Sequence, residues 1–309
     1  MDLAAHLRAL ASREHLSMRE LRPLSGLGPD AYDALWETWQ RIPVRRRTEI
    51  AHAMVELAED NIDLDFTMMF RWLLDDADPE VRASAVEGLW ECTDVPVMRR
   101  LLALLCDPAD QVRAAAAMAL GRFAYMAEID ELDEEYGRQV HDALLTLIHD
   151  ASQPTEVRRR AIESAGYFAA SNDVQRQIEL AYASSDQLMR ESALVAMGRS
   201  MLPRWLPIVS RELESPSPAL RYEAARAAGE MADIARSLVA RVVRLCSDAD
   251  TEVALAAIWA LGQIGGETAR RTLQHISGSE DEARSQAAAE ALDELTLEEG
   301  FFESEWRNN

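Results

Sequence analysis

His141 and His149 stand eight residues apart on one expected helix, roughly 12 Å by helical rise, too far to share a metal ion. The other four histidines are scattered. Cys92, Cys106 and Cys246 lie singly in or beside helical runs, with no Cys-x-x-Cys or Cys/His ligand spacing. They read as small apolar residues in a reducing compartment. No nucleophile motif, Gly-rich phosphate loop or zinc signature occurs. The 54 carboxylates are so abundant that no pair stands out as a general acid and base. The sequence therefore offers no catalytic residue, no metal site and no cofactor site. What remains is recognition chemistry. Arginine and aromatic side chains dominate protein interfaces, and Met118, Tyr167, Arg199, Tyr222, Arg226, Trp259 and Gln263 are the candidates to contact a partner. All 32 basic residues are Arg. That bias follows either from genomic base composition or from use in bidentate carboxylate pairing.

The elements that position these residues are written as a repeat. An apolar residue, usually followed by Arg, opens a short helical pattern with Ala three positions after the Arg. The copies begin at Val81-Arg82, Val112-Arg113, Val157-Arg158, Met189-Arg190, Leu220-Arg221, Val253-Ala254 and Ala283-Arg284. The matching alanines are Ala85, Ala116, Ala161, Ala193, Ala224, Ala257 and Ala287. Most intervals are about 30 to 33 residues, the signature of a helix-pair array. The fold expected is an all-α, right-handed α-solenoid of about eight antiparallel helix pairs.

The second copy shows how a unit is built. Residues 97–106 form helix A, and Asp107-Pro108 stops it because Pro cannot continue a helix. Asp110 is placed to cap helix B, expected over residues 111–123. Gly recurs eight positions after the Arg in Gly121, Gly166, Gly198, Gly229 and Gly262. A mid-helix Gly costs up to ~1 kcal/mol relative to Ala, so its recurrence implies close approach of the next helix or a helix stop. The interval from Arg113 to Arg158 is longer, and an acidic stretch over residues 128–135 is expected to lengthen the link there. Residues 30–40 and 44–59 form a further pair around Pro43. The expected organisation is an N-terminal capping helix within residues 1–29, the solenoid over 30–296, and an acidic tail over 297–309. Phe301, Phe302 and Trp306 of that tail are candidates to dock on a neighbouring protomer or on the last repeat, or else belong to a frayed end.

With the Arg position as zero, +3, +4 and +7 are apolar or small and belong to the core. Positions +1, +5 and +9 share the other face, since four-residue steps stay on one side of a helix. That stripe should be polar if nothing binds it. Instead it carries Met118, Tyr167, Val195, Tyr222, Leu255 and Trp259, interleaved with Arg199 and Arg226 and ending at Gln263. The competing reading is that a tightly curved superhelix packs these side chains on their neighbours. Trp90, with Leu89 and Trp72 near it in sequence, is assigned to the core.

The Asp/Pro turn, the Val-Arg and the Ala-rich helix ending near Gly resemble the HEAT repeat, in its short lyase-type or phycobilisome-lyase-like variety. The resemblance implies that helix B lines the concave surface. It also implies a buried ladder of turn Asp and helix-B Arg, with Asp76/Arg82 and Asp107/Arg113 as the matching pairs six residues apart. Ser152, Ser184 and Ser215 replace the acid before Arg158, Arg190 and Arg221, and Ala254 has lost the base. Function is open among several classes on this resemblance. A non-catalytic scaffold for protein–protein interaction is the first. A bilin lyase-like enzyme or chaperone handling a protein-bound tetrapyrrole is the alternative, and a HEAT-like DNA glycosylase follows.

The net charge of −22 argues against a nucleic-acid partner, which needs a basic face. Residues 61–150 and 246–309 carry most of the negative charge, and residues 151–245 are near neutral. The complementary partner is a protein or peptide with basic and apolar character. The N-terminus lacks the apolar core of a signal peptide, and no run approaches the roughly 18 apolar residues of a membrane span. The expected location is cytoplasmic, with no membrane partner.

Overall fold

The computed structural model describes residues 2–13 and 15–307, with the side chains of Ala34 and residues 297–307 outside the description. The described residues are all-α, a helix-pair solenoid without a sheet. The chain divides into two units, Met1–Ser164 and Ala165–Asn309.

The first unit opens with α1 (Leu3–Ser12), followed by three short 3-10 turns. Pairs then follow: α2 (Tyr32–Gln40) with α3 (Val44–Asp60), α4 (Thr67–Leu73) with α5 (Pro79–Gly88), α6 (Val95–Leu104) with α7 (Asp110–Glu128), and α8 (Glu134–His149) with α9 (Thr155–Ala165). The second unit holds α10 (Asn172–Tyr182) with α11 (Gln187–Ser200), α12 (Leu206–Glu212) with α13 (Pro218–Glu230), α14 (Val239–Leu245) with α15 (Thr251–Ile264), and α16 (Glu267–Ser277) with α17 (Glu282–Arg307). In the second unit α11, α13, α15 and α17 pack on one another in sequence, and each also packs on its own helix A. In the first, α3, α5 and α7 form the corresponding row.

The constant residues build the stack. Val81, Val112, Val157, Leu220 and Val253 are at most 2% exposed, and Ala85, Ala116, Ala161, Ala193, Ala224 and Ala257 are fully buried. The last copy departs, with Ala283 exposed and Ala287 half-buried. Caps set where each helix B begins. Asp78 Oδ1 accepts from the amides of Glu80 and Val81, and Asp250 Oδ1 does the same for Glu252 and Val253.

Gly recurs for close approach. A Cβ built on Gly166 would lie 2.7 Å from Ala196 Cα, and one on Gly198 would lie 2.8 Å from Ala227 Cα. Helix B backbones meet there with no room for a methyl group. Gly166 also follows the last residue of α9, whereas Gly198 lies inside α11.

The Asp/Arg ladder exists with a different connection from the one expected. Arg82 does not bond the carboxylate of Asp76, six residues back. Its Nη1 donates to the Asp76 backbone carbonyl at 2.7 Å, while Nε and Nη2 clasp the Asp107 carboxylate of the next turn at 2.9 and 2.8 Å. The Asp76 carboxylate accepts instead from Trp39 Nε1 at 2.5 Å and pairs with Arg47 at 3.2 Å. Arg113 repeats the pattern, bonding the Asp107 carbonyl at 2.7 Å and reaching Gln153 Oε1 at 3.0 Å. Where Ala254 lacks the base, Arg284 from the following copy donates to the Asp248 carbonyl at 2.8 Å. An Arg side chain spans more than one turn, so it satisfies its own loop and locks the next.

Two further expectations are corrected. Asp110 is not a cap; Ala109 holds that position, and the Asp110 carboxylate pairs with Arg113 at 2.5 Å. The longer interval is taken up mainly by α7, which runs on to Glu128, and by α8, which begins at Glu134; the acidic stretch supplies a short link over 129–133 that turns at Asp130. The backbone of residues 297–307 belongs to α17, and the docking considered for Phe301, Phe302 and Trp306 lies outside the described side chains.

Candidate protein-binding site

In the second unit the +1, +5 and +9 positions of three successive B helices form a grid. It comprises Glu191, Val195 and Arg199 on α11, Tyr222, Arg226 and Glu230 on α13, and Leu255, Trp259 and Gln263 on α15. Each helix contributes residues about 6 Å apart along its axis, all on one face. All nine are half-buried, neither core nor fully exposed. They are held laterally by their neighbours while one side of each stays open.

Two stacked pairs dominate the grid. Arg226 lies over Trp259 with its guanidinium carbon 4.1 Å from the ring centroid. Arg199 lies over Tyr167, in the turn after α9, at 5.1 Å. Such pairs contribute about 0.5–1 kcal/mol at accessible sites and about 2 or more when desolvated. The Trp259 ring fits against Gly229, where a Cβ would come within 2.4 Å of ring atom Cζ3. Trp259 is thus sandwiched between the α13 backbone and an Arg from the same helix.

Glu230 lies against Gly198, where a Cβ would be 2.7 Å from Glu230 Oε2. Burial pushes its carboxyl above the usual carboxylate range, and the charges of Arg199 and Arg226 only partly offset that. Glu230 Oε2 and Arg199 Nε are buried atoms without a hydrogen-bond partner among the described residues.

Tyr222 occupies a separate place on the same face. It lines an open groove with Gln187, Pro218 and Val253, rimmed by Asp250 and Glu252 at the start of α15. The groove pairs an aromatic wall with two carboxylates, which suits an apolar side chain next to a cation.

The seven expected contact residues are therefore not one continuous surface of free anchors. The structure joins Tyr167 with Arg199 and Arg226 with Trp259, sets Tyr222 in its groove, and ties Gln263 Nε2 to Glu294 Oε2 at 2.9 Å. Met118 belongs to the first unit, where it is 51% exposed on α7. Trp90, assigned to the core from sequence, is 50% exposed. The signal that it would be so was the early Gly88: α5 ends there, and Trp90 falls in the following turn rather than on a helical face. Among the described residues no group of three or more His, Cys, Asp or Glu could hold a metal ion, and no helix is long and apolar enough to cross a membrane.

A family model described as HEAT repeats matches residues 68–139 and 206–293, just over half of the chain. The chain belongs to the HEAT-repeat family. A HEAT-repeat protein of this kind is a scaffold capable of protein–protein interaction. Among solved structures it is similar to an engineered protein, at 18% identity over 95% of this chain and 88% of that one, with a TM-score of 0.41. It is also similar to human deoxyhypusine hydroxylase in complex with glycerol, at 18% identity over 95% of each chain and a TM-score of 0.31. A third likeness is to the Kap95:Nup1 complex, at 14% identity over 95% of this chain and 46% of that one, with a TM-score of 0.49. A search of curated proteins returns no match.

Proposed function

We propose that this HEAT-repeat protein is a non-catalytic scaffold that binds a peptide or protein segment along the +1, +5 and +9 face of α11, α13 and α15. The observation that carries the reading is the half-buried grid, where Arg–aromatic pairs stand beside an acid-rimmed aromatic groove. Residues placed this way lose little side-chain entropy on binding, because packing already fixes them. The partner of this reading carries basic and apolar side chains. Tyr222 offers the apolar wall, Asp250 and Glu252 offer the charge, and Glu191, which accepts from Gln187 Nε2, adds to it from α11. Tyr167, Arg199, Arg226, Trp259 and Gln263 extend the face from that groove. Met118 is the candidate contact of the first unit.

A peptide array in which Lys, Arg and apolar residues are varied tests the reading. Full-length protein should bind basic–apolar sequences, and the Tyr222→Ala/Trp259→Ala variant should bind the tightest of them about tenfold or more weakly. An array with no preference for basic–apolar sequences would reject it. The lyase-type reading, with a tetrapyrrole as ligand, rests on the repeat subtype alone. An absorbance shift on mixing with bilin is its test.

A further inference from the structure

The first unit holds an exposed apolar pair that the proposed face does not use. Ile62 is 98% exposed and Trp90 is 50% exposed. Both line one groove of about 430 Å³, between the end of α3, the start of α4 and the turn after α5. Phe66 and Phe70, at 2% and 1% exposed, form its floor. Glu59, Asp65 and Glu91 stand around it, and no basic side chain lines it.

Neither apolar side chain sits on a loose loop. Trp90 is carried on a turn fixed from both sides. Its amide donates to Glu87 O at 3.1 Å, its carbonyl accepts from Arg122 Nη1 at 3.3 Å, and Leu89 beside it is buried. Gly88 admits the Phe70 ring, which would lie 2.3 Å from any Cβ there. The Ile62 loop is held by Asn61 Oδ1 accepting from the Asp63 amide at 3.0 Å, and by Ser25 Oγ accepting from the Asp65 amide at 2.9 Å. The fold thus holds a Trp and an Ile toward solvent, apolar surface that a bound partner would remove from water.

Charge defines what covers them. Beyond the three lining acids, Glu87 stands close enough to Glu59 and His52 to be influenced by both charges, and burial is the larger influence holding its carboxyl above the usual range. His52 itself faces Glu80 at 3.9 Å. Of the arginines near the groove, Arg71 pairs with Asp94 and Arg122 donates to the Trp90 carbonyl. An anionic or purely apolar occupant would leave the carboxylates unanswered. We infer that this groove is a second docking site, independent of the second-unit face, for a peptide segment bearing an apolar or aromatic side chain flanked by Lys or Arg. The apolar side chain inserts between Ile62 and Trp90, and the flanking cations meet Glu59 and Glu91.

The test uses the full chain in a Tyr222→Ala/Trp259→Ala background, which silences the second-unit face. Fluorescence anisotropy follows three labelled probes: a peptide with a Lys-Leu-Lys-Phe-Lys core, its Glu-for-Lys counterpart, and a Lys-Ser-Lys-Ser-Lys control. The first peptide should bind. Trp90→Ala, and separately Glu59→Gln/Glu91→Gln, should weaken it about tenfold or more, as for central interface residues. Circular dichroism melts of these surface variants should match the background protein. Failure of the first peptide to bind, equal binding of the Glu or Ser peptide, or unchanged affinity in both variants would overturn the inference. Loss of binding with Tyr222→Ala/Trp259→Ala alone, before any first-unit change, would likewise overturn it, whereas the second-unit reading would stand.

Discussion

Arg221 holds the carboxylate of Asp248, 27 residues on, through two bonds: Nε to Oδ2 at 2.8 Å and Nη2 to Oδ1 at 2.9 Å. Its Nη1 closes the turn behind it on Ser215 O at 2.9 Å. One side chain therefore staples two successive turns. Both partners are largely shielded, with side-chain exposures of 16% and 9%. Removing the acid strands a shielded guanidinium. Asp248→Asn should lower stability by about 2 kcal/mol, read as a fall in the urea midpoint, and Arg221→Lys should also destabilise because it cannot form the fork.

The ladder sets an acid limit. The Arg221 hydrogen bond leads the influences that hold the Asp248 carboxyl below the ordinary Asp range. At Asp107 desolvation pushes upward, but Arg82, the Ala109 amide and Arg113 outweigh it and leave the carboxyl depressed. A depressed native pKa contributes stability above the unfolded value, and that contribution is lost as pH falls through the unfolded and then the native value. Melting temperature should drop on acidification below about pH 4, the ordinary Asp value. It should drop less in Asp107→Asn/Asp248→Asn, where the titrating groups are gone.

Glu230 has the opposite sign. Its native carboxyl is raised by burial, so the unfolded chain ionises first and stability is lost as pH rises through that range. Glu230→Gln should raise the melting temperature at pH 7 and give no gain well below the ordinary Glu value of about 4.3. Equal gain at both pH values would mean that packing, not ionisation, is responsible.

Cysteine reactivity follows exposure. Burial pushes the Cys246 thiol up to about 12, whereas Cys106 is exposed and Cys92 is half-buried with its thiol also raised by burial. Native protein treated with iodoacetamide at pH 8 should label Cys106 first, Cys92 slowly and Cys246 only after unfolding. Peptide mass mapping reads the order.

The stack was legible because its residues repeat. Val112, Ala116 and Gly121 recur at fixed spacing since each meets the same neighbour in every copy, and periodicity reports that directly. What crosses between copies was not legible. The Arg82 carboxylate partner is Asp107 rather than Asp76, because spacing within one copy says nothing of how far a side chain reaches. Trp90 escaped for a different reason: its apolar neighbours Leu89 and Trp72 pointed to the core, but α5 ends at Gly88 and Trp90 falls in the turn beyond it. The +1, +5 and +9 rule placed Tyr222, Arg226 and Trp259 on a shared face, but the stacking of Arg226 on Trp259 needed the distance between two helices.

The central claim, that the second-unit face binds a basic–apolar segment, is tested most directly by calorimetric titration. An array-selected peptide would be titrated into wild type, Tyr222→Ala and Trp259→Ala. The account predicts a second-unit binding event, separable from that of the first-unit groove, weakened about tenfold or more by each substitution, as expected for aromatic residues at the centre of an interface. Unchanged affinity in both variants, with their folds intact, would contradict it.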